Sequence, residues 1–241
     1  SEAAEAGVEA VAEPVAEEVD REHGDQNGET RERGEPPSAA DVGATKCWLA
    51  LFSDRDAATD FRLALRYDDR AFGTFDEVLE TFLGEARARF GALALSGACF
   101  AVAAPVSGMS VRLTNRDWRL DAQALAQRLG VAAVAIVNDF AAAARGIDRL
   151  APGDCVALQT GEPLAHAPGV VLGAGTGLGV AYRVWTGNRC QVLAGEAGHM
   201  GFAPCTAEQV ELWRFLHRRR GRVSAEDVLS GRGLAAIYRF L

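Results

Sequence analysis

From Asp41 onward, short apolar runs alternate with stretches whose apolar residues recur at helical spacing. That alternation commits a chain to α/β architecture, because strands that are apolar throughout need cover on both faces, and the intervening helices supply it. The runs Cys47 to Phe52, Phe61 to Tyr67, Ala98 to Ala103, Val134 to Val137, Val156 to Leu158, Val170 to Leu172 and Val180 to Trp185 predict strands. Helices are predicted over Thr74 to Arg89, where Phe75, Val78, Leu79, Phe82 and Leu83 form one stripe, over Asp121 to Leu129, and over Glu208 to Arg220. The turn Thr186-Gly187-Asn188 joins Tyr182 to Trp185 and Cys190 to Leu193 into a hairpin. Ser224, with Asp227 three residues on, predicts the cap of a short helix. Gly231 and Gly233 then mark a break before a final helical pattern, Leu234 to Leu241.

Charge is distributed unevenly. Of 33 acids and 25 bases, residues 1 to 40 hold twelve and three, which leaves residues 41 to 241 at a net +1. The first segment has almost no large apolar side chain to offset its ordering entropy, so an acidic disordered tail is expected. It lacks the basic start and apolar run of a secretory signal, and it is too acidic for a transit peptide. Such a tail repels nucleic-acid phosphates and shows no helix-turn-helix pattern. The five cysteines, Cys47, Cys99, Cys155, Cys190 and Cys205, are odd in number and contain no Cys-x-x-Cys pair. A disulfide framework and a zinc cluster are disfavoured, and a reduced, cytoplasmic setting is expected. Phe90 to Met109 is long and apolar enough to raise a membrane span. Gly91, Ser96, Gly97, Pro105 and Gly108 interrupt it, and a buried strand with flanking turns accounts for it better.

Four motifs point to chemistry. Val170-Val171-Leu172 runs directly into Gly173-Ala174-Gly175-Thr176-Gly177-Leu178-Gly179, a loop whose backbone N–H groups face no side-chain obstruction and can cradle phosphate oxygens, with the Thr176 hydroxyl as a further donor. The segment after it reads as a strand, so a strand-loop-strand phosphate clamp is expected rather than a dinucleotide-binding turn. Asp41-Val42-Gly43-Ala44-Thr45-Lys46 is a second candidate clamp, in which Asp41 is placed to hold Mg2+ through water and Gly43 to Thr45 to face a phosphate. Asn138 and Asp139 follow an apolar strand and precede an alanine-rich helix, at the strand end that faces the ligand crevice in α/β folds. Asp139 is there an adequate helix cap. Glu196 and His199, flanked by Gly195 and Gly198, supply acceptor and donor groups for a polyol.

These motifs, together with Ala104-Pro105-Val106-Ser107-Gly108, Thr114-Asn115 with Trp118, Phe202-Ala203-Pro204 and Val223 to Gly231, resemble in order and spacing the bacterial-type glucokinases of the hexokinase and actin-like ATPase superfamily. The resemblance implies an α/β, actin-like ATPase (ribonuclease H-like) two-domain fold and ATP-dependent phosphorylation of glucose to glucose 6-phosphate, the first step of glycolysis. By it, Asp139 is the catalytic base, and Asn138, Asp139, Glu196, His199 and Glu226 hold the sugar. Asp41, Gly43, Thr45, Gly173, Gly175, Thr176 and Gly177 hold the ATP phosphates, with Asp41 also serving Mg2+.

Related sugar kinases of the ROK type carry a cysteine-rich zinc motif after the Glu and His. Met200-Gly201-Phe202-Ala203-Pro204-Cys205 stands there instead, which favours the zinc-free branch. The implied domains are a tail over 1–40, a small α/β domain over 41–139 and a partial larger domain over 140–241, since the family's chain continues beyond the position of Leu241. Gly34 to Ala40, with Pro36, Pro37 and no branched apolar residue, is not expected to supply a central strand before Asp41. Glucose and ATP are the implied partners, with no nucleic acid and no membrane, and a homodimer is left open. The alternative is a non-catalytic sugar-binding fragment or pseudoenzyme of the same family.

Overall fold

The computed structural model describes residues 38–43, 46–52, 61–113 and 117–241. The expected acidic tail up to residue 37, the loop residues Ala44 and Thr45, and Thr114 and Asn115 lie outside the described residues. Contacts divide the chain into two units, one ending at Thr160 and the other running from Gly161 to Leu241.

The first unit is built on a five-stranded sheet of order β3-β2-β1-β4-β7. Its strands are β1 (Ser38–Val42), β2 (Lys46–Phe52), β3 (Phe61–Asp68), β4 (Ala98–Val102) and β7 (Val134–Asn138). β1, β4 and β7 run parallel, while β2 is antiparallel to both β1 and β3, so the sheet is mixed. A small ribbon of β5 (Ser110–Arg112) and β6 (Arg119–Asp121) stands apart from it. The strand before Asp41, not expected from the sequence, is present and central. Ala39 pairs with Ala50 of β2 on one side and Cys99 of β4 on the other. The prolines precede this strand rather than sit inside it, so every residue of β1 keeps its N–H for the ladder. Neighbours on both edges then supply what the small side chains lack in strand propensity.

Both faces of this sheet are covered. On one, α1 (Phe75–Phe90) and α2 (Ala122–Leu129) pack Phe75, Val78, Leu79, Phe82 and Leu125 against Val42, Leu49, Leu51, Phe100 and Val102. Thr74 caps α1 by accepting from Glu77 N, and the Glu77 carboxylate reaches back to accept from Gly73 N at 2.8 Å. On the other face, Cys99, Ala101, Ala133 and Ala135 lie with Ala142 of α3 (Asp139–Gly146). The small side chains let that helix lie close to the strands. The division expected after Asp139 falls within α3, after its first residue, and α3 packs on β4 and β7.

The second unit holds the antiparallel sheet β10-β9-β8, formed by β8 (Gly169–Ala174), β9 (Leu178–Thr186) and β10 (Arg189–Gly195). The β9–β10 hairpin turns where the sequence predicts it, with Gly187 at φ 62°. Helices α4 (Ala207–Arg220) and α5 (Gly231–Phe240) close a core of Leu212, Leu216, Val223 and Ala236. Three expectations fail. Gly231 and Gly233, expected to mark a break, are the first and third residues of α5, which starts at the Ser230 cap. Val156 to Leu158, near the end of the first unit, is irregular and exposed, with Leu158 97% accessible, and pairs with no strand among the described residues. Ser224 and Asp227 do exchange capping bonds, Ser224 N and Oγ donating to Asp227 Oδ2 and Asp227 N to Ser224 Oγ, but they close a single turn rather than a helix.

Candidate functional site

In the first unit the parallel strands bring their carboxyl ends to one edge. The register sets Asp41 beside Ala101 and sets Val102 beside both Val42 and Asn138. That edge is where ligand crevices form in open α/β sheets.

Asn138 is the helix cap of α3, a role the sequence reading gave to Asp139. Its Oδ1 accepts from Phe140 N and Ala141 N at 3.1 Å each, while its Nδ2 donates to Ala104 O at 3.2 Å and to Asp139 Oδ1 at 3.0 Å. The amide thereby locks the Ala104 loop, the helix start and Asp139 into one arrangement. Asp139, first residue of α3, also accepts from Phe140 N at 2.9 Å. A carboxylate there is favoured by the helix dipole.

Burial pushes the Asp41 carboxyl up to about 7, and the negative charges of Asp139 and Asp69 add to the shift. Asp69, fully buried after β3, was not singled out from the sequence. Nothing in Asp68-Asp69-Arg70 distinguishes it from a solvated turn. Gly43 N donates to Lys46 O at 3.0 Å, closing the turn between β1 and β2, and a Cβ on Gly43 would meet that same oxygen at 3.0 Å. Thr45, the remaining residue expected in this clamp, lies outside the described residues.

In the second unit the glycine loop links β8 to β9, with Gly173 opposite Gly179 and Ala174 opposite Leu178. The strand-loop-strand form is the one expected. At its tip Gly175 N donates to Gly177 O at 2.8 Å, and Thr176 is exposed. Glu196 and His199 lie at the end of β10 and in the short turn after it. His199 Nε2 is 3.6 Å from Glu196 Oε2, and both side chains are 60% exposed.

The strip after Gly198 pairs back onto 223–226: Phe202 N donates to Val223 O, Ala225 N to Met200 O and Glu226 N to Gly198 O, all between 2.8 and 3.0 Å. This pairing carries Glu226, buried, to the glycine loop, where Oε2 accepts from Leu178 N at 2.9 Å. The glycines make room. A Cβ on Gly177 would lie 2.4 Å from Glu226 Oε2, and one on Gly198 would lie 2.1 Å from Leu178 O. The structure thus joins Gly177, His199 and Glu226 in one cluster, although the sequence separates them widely. Two members were not anticipated. Arg232 contacts Glu226 Oε1, and Arg222 Nη2 donates to His199 O at 2.6 Å.

Comparison with known proteins converges on one group. The family model described as Glucokinase matches residues 39–241. The glucokinase of Tolumonas auensis is 38% identical over 206 residues, covering 83% of this chain and 60% of the relative. That of Nostoc punctiforme is 36% identical, covering 84% and 59%. The chain therefore spans about 60% of the length of the curated relatives it matches. Among solved structures, a glucokinase from an Antarctic psychrotroph superposes with a TM-score of 0.70 at 28% identity, covering 86% of this chain and 64% of that one. A glucokinase from Balamuthia mandrillaris, solved with glucose, superposes at 0.65 with 24% identity over 86% of this chain and 62% of its own, a likeness of fold.

Proposed function

The chain belongs to the glucokinase family, with the mixed α/β, actin-like ATPase fold of that group, and on this premise we propose that it serves the ATP-dependent phosphorylation of glucose to glucose 6-phosphate. The observation that carries the proposal is the fixed carboxylate of Asp139, aligned by Asn138 at the strand-end edge that also bears Asp41. Phosphoryl transfer through a loose transition state needs alignment and charge neutralisation more than covalent help. Asp139 orients the sugar 6-hydroxyl and accepts its proton as the new oxygen–phosphorus bond forms and the bond to ADP breaks. Glu196, His199, Glu226 and Asn138 hold the other hydroxyls, a polar set that rejects analogues lacking one of them. Apart from Gly43 N and Gly175 N, which donate to Lys46 O and Gly177 O, the backbone N–H groups of the Gly173 to Gly177 loop and of the turn at Gly43 and Thr45 receive the ATP phosphates.

The acidic surroundings of Asp41 suit a divalent cation. Its carboxyl is buried near two other negative groups, an arrangement that a nearby positive charge relieves. Among the described residues no three His, Cys, Asp or Glu side chains form a metal-holding group, so Mg2+ would keep mostly water and phosphate ligands, with Asp41 acting through water. Bound there, the ion neutralises charge on the phosphates. No helix among the described residues is long and apolar enough to cross a membrane. A cytoplasmic place at the entry to glycolysis goes with the proposal.

A coupled assay of ADP release tests it, with glucose, ATP and Mg2+ supplied. Asp139→Asn is expected to lower turnover by about 10²- to 10⁴-fold while glucose binding, read by calorimetry, is largely retained. Turnover by Asp139→Asn equal to that of the natural chain would overturn the assignment. Glucose binding with no ATP binding would select a non-catalytic sugar-binding role instead.

A further inference from the structure

Arg232 is the second residue of α5, just beyond the Ser230 cap. A cation at that end of a helix opposes the helix dipole, which favours negative charge there. The countercharge comes from Glu226, whose Oε1 accepts from Arg232 Nη2. The Glu226 side chain is 11% exposed and that of Arg232 52%, so the contact joins a nearly buried carboxylate to a half-exposed guanidinium. The second carboxylate oxygen is held at the same time by Leu178 N, at the exit of the glycine loop. Main-chain bonds fix the surroundings: Glu226 N donates to Gly198 O beside His199, and Gly231 N, next to Arg232, donates to Gly175 O at the tip of the loop, both at 2.9 Å. Glu226 therefore ties three parts together: its carboxylate joins the glycine loop to the start of α5, and its main-chain N–H joins both to the His199 turn. A carboxylate offers about four lone-pair sites, and these two bonds leave the others for a ligand.

We infer that Arg232 is a positioning residue for sugar recognition. It holds the long Glu226 side chain in one orientation, so that the remaining lone pairs meet a hexose hydroxyl without a search through rotamers. Arg232 acts through Glu226 and does not touch the sugar. The inference rests on the glucokinase reading and deepens it by assigning a determinant of sugar affinity that lies next to the phosphate loop.

Calorimetric titration of glucose into the full chain tests this with Arg232→Gln, Arg232→Lys, Glu226→Gln and the double variant Glu226→Gln/Arg232→Gln. Arg232→Gln is expected to weaken glucose binding about tenfold, the scale of one lost charge-assisted contact. ATP affinity should stay within about twofold of the natural chain, since on this account the phosphates are held by backbone N–H groups. Where turnover is measured, the loss should appear in KM rather than kcat. Arg232→Lys should restore most of the affinity. In the Glu226→Gln background Arg232→Gln should add no further loss, because its effect passes through the carboxylate. If the natural chain binds glucose and Arg232→Gln binds it equally well, the role of Arg232 is overturned and the glucokinase reading stands. If the folded natural chain binds no glucose, both are overturned. Circular dichroism checks folding, and Arg232→Met, with the same expected loss, replaces Arg232→Gln should the latter unfold.

Discussion

Replacing Asn138 by alanine separates what this side chain does for the fold from what its neighbour does for chemistry. Its Oδ1 accepts from Phe140 N and Ala141 N, and only Phe140 N has a second acceptor, in Asp139 Oδ1. The variant thus loses one capping bond outright, worth about 1 kcal/mol. It also loses the half-buried bond from Nδ2 to Ala104 O, worth about 1 kcal/mol net. The sum of about 2 kcal/mol corresponds to a fall in Tm of about 4–8 °C for a chain of this size.

Thermal unfolding followed by circular dichroism measures the loss, and a Tm within about 1 °C of the natural chain would refute the bonding scheme. Asn138→Asp sharpens the test. It keeps a capping oxygen but turns the donor facing Ala104 O and Asp139 Oδ1 into an acceptor, so it should keep most of the cap and still lose the bond to Ala104 O, about 1 kcal/mol, which urea midpoints would show.

Asp227 should make stability depend on pH. Burial pushes its carboxyl up, but hydrogen bonds from Ser224 and the Arg220 guanidinium outweigh that and hold it below the usual carboxylate range. Its contribution is therefore complete above the unfolded value near pH 4 and is lost as pH falls through the lower folded one, so the urea midpoints of the natural chain and Asp227→Asn should converge in acid. A gap that stays constant down through that window would contradict the pairing. Gly198→Ala should cost about 1–3 kcal/mol, since its Cβ would lie 2.1 Å from a backbone oxygen that cannot swing aside. Gly201→Ala, whose Cβ meets nothing within 4 Å, is the control and should stay within about 0.5 kcal/mol. Equal Tm values for the two variants would remove the argument for close packing against Leu178.

The elements legible in the sequence are those that carry their own signal. The stripe from Phe75 to Leu83 and the run from Ala98 into Val102 announce α1 and β4, because a helix face and a doubly covered strand each need a particular local pattern. β1 was invisible for the converse reason. Its Ser-Ala-Ala start has no strand signal of its own, and its place comes from β2 and β4 on either side. Val156 to Leu158 fails the other way, a strand-like run without a partner.

At the site, residue types were readable where glycines flank a polar group, as at Glu196 and His199. The linkage of Glu226 to Leu178 and Arg232 was not, because it depends on the pairing of 198–202 with 223–226. Asp69 was hidden among charges that look solvated in one dimension.

The tip of the glycine loop is stitched to its own hairpin and to α5 before any ligand arrives, through Gly175 N to Gly177 O and Gly231 N to Gly175 O. Three glycines in so short a stretch would otherwise be the most freely moving backbone in the chain, and fixing each residue costs about 1–2 kcal/mol of conformational entropy. Here folding has already spent that entropy. With Gly175 N already given to Gly177 O, an incoming phosphate meets the remaining N–H groups of a backbone that is already fixed, and the affinity of the loop is set by how well their spacing matches the anion rather than by the cost of stilling them.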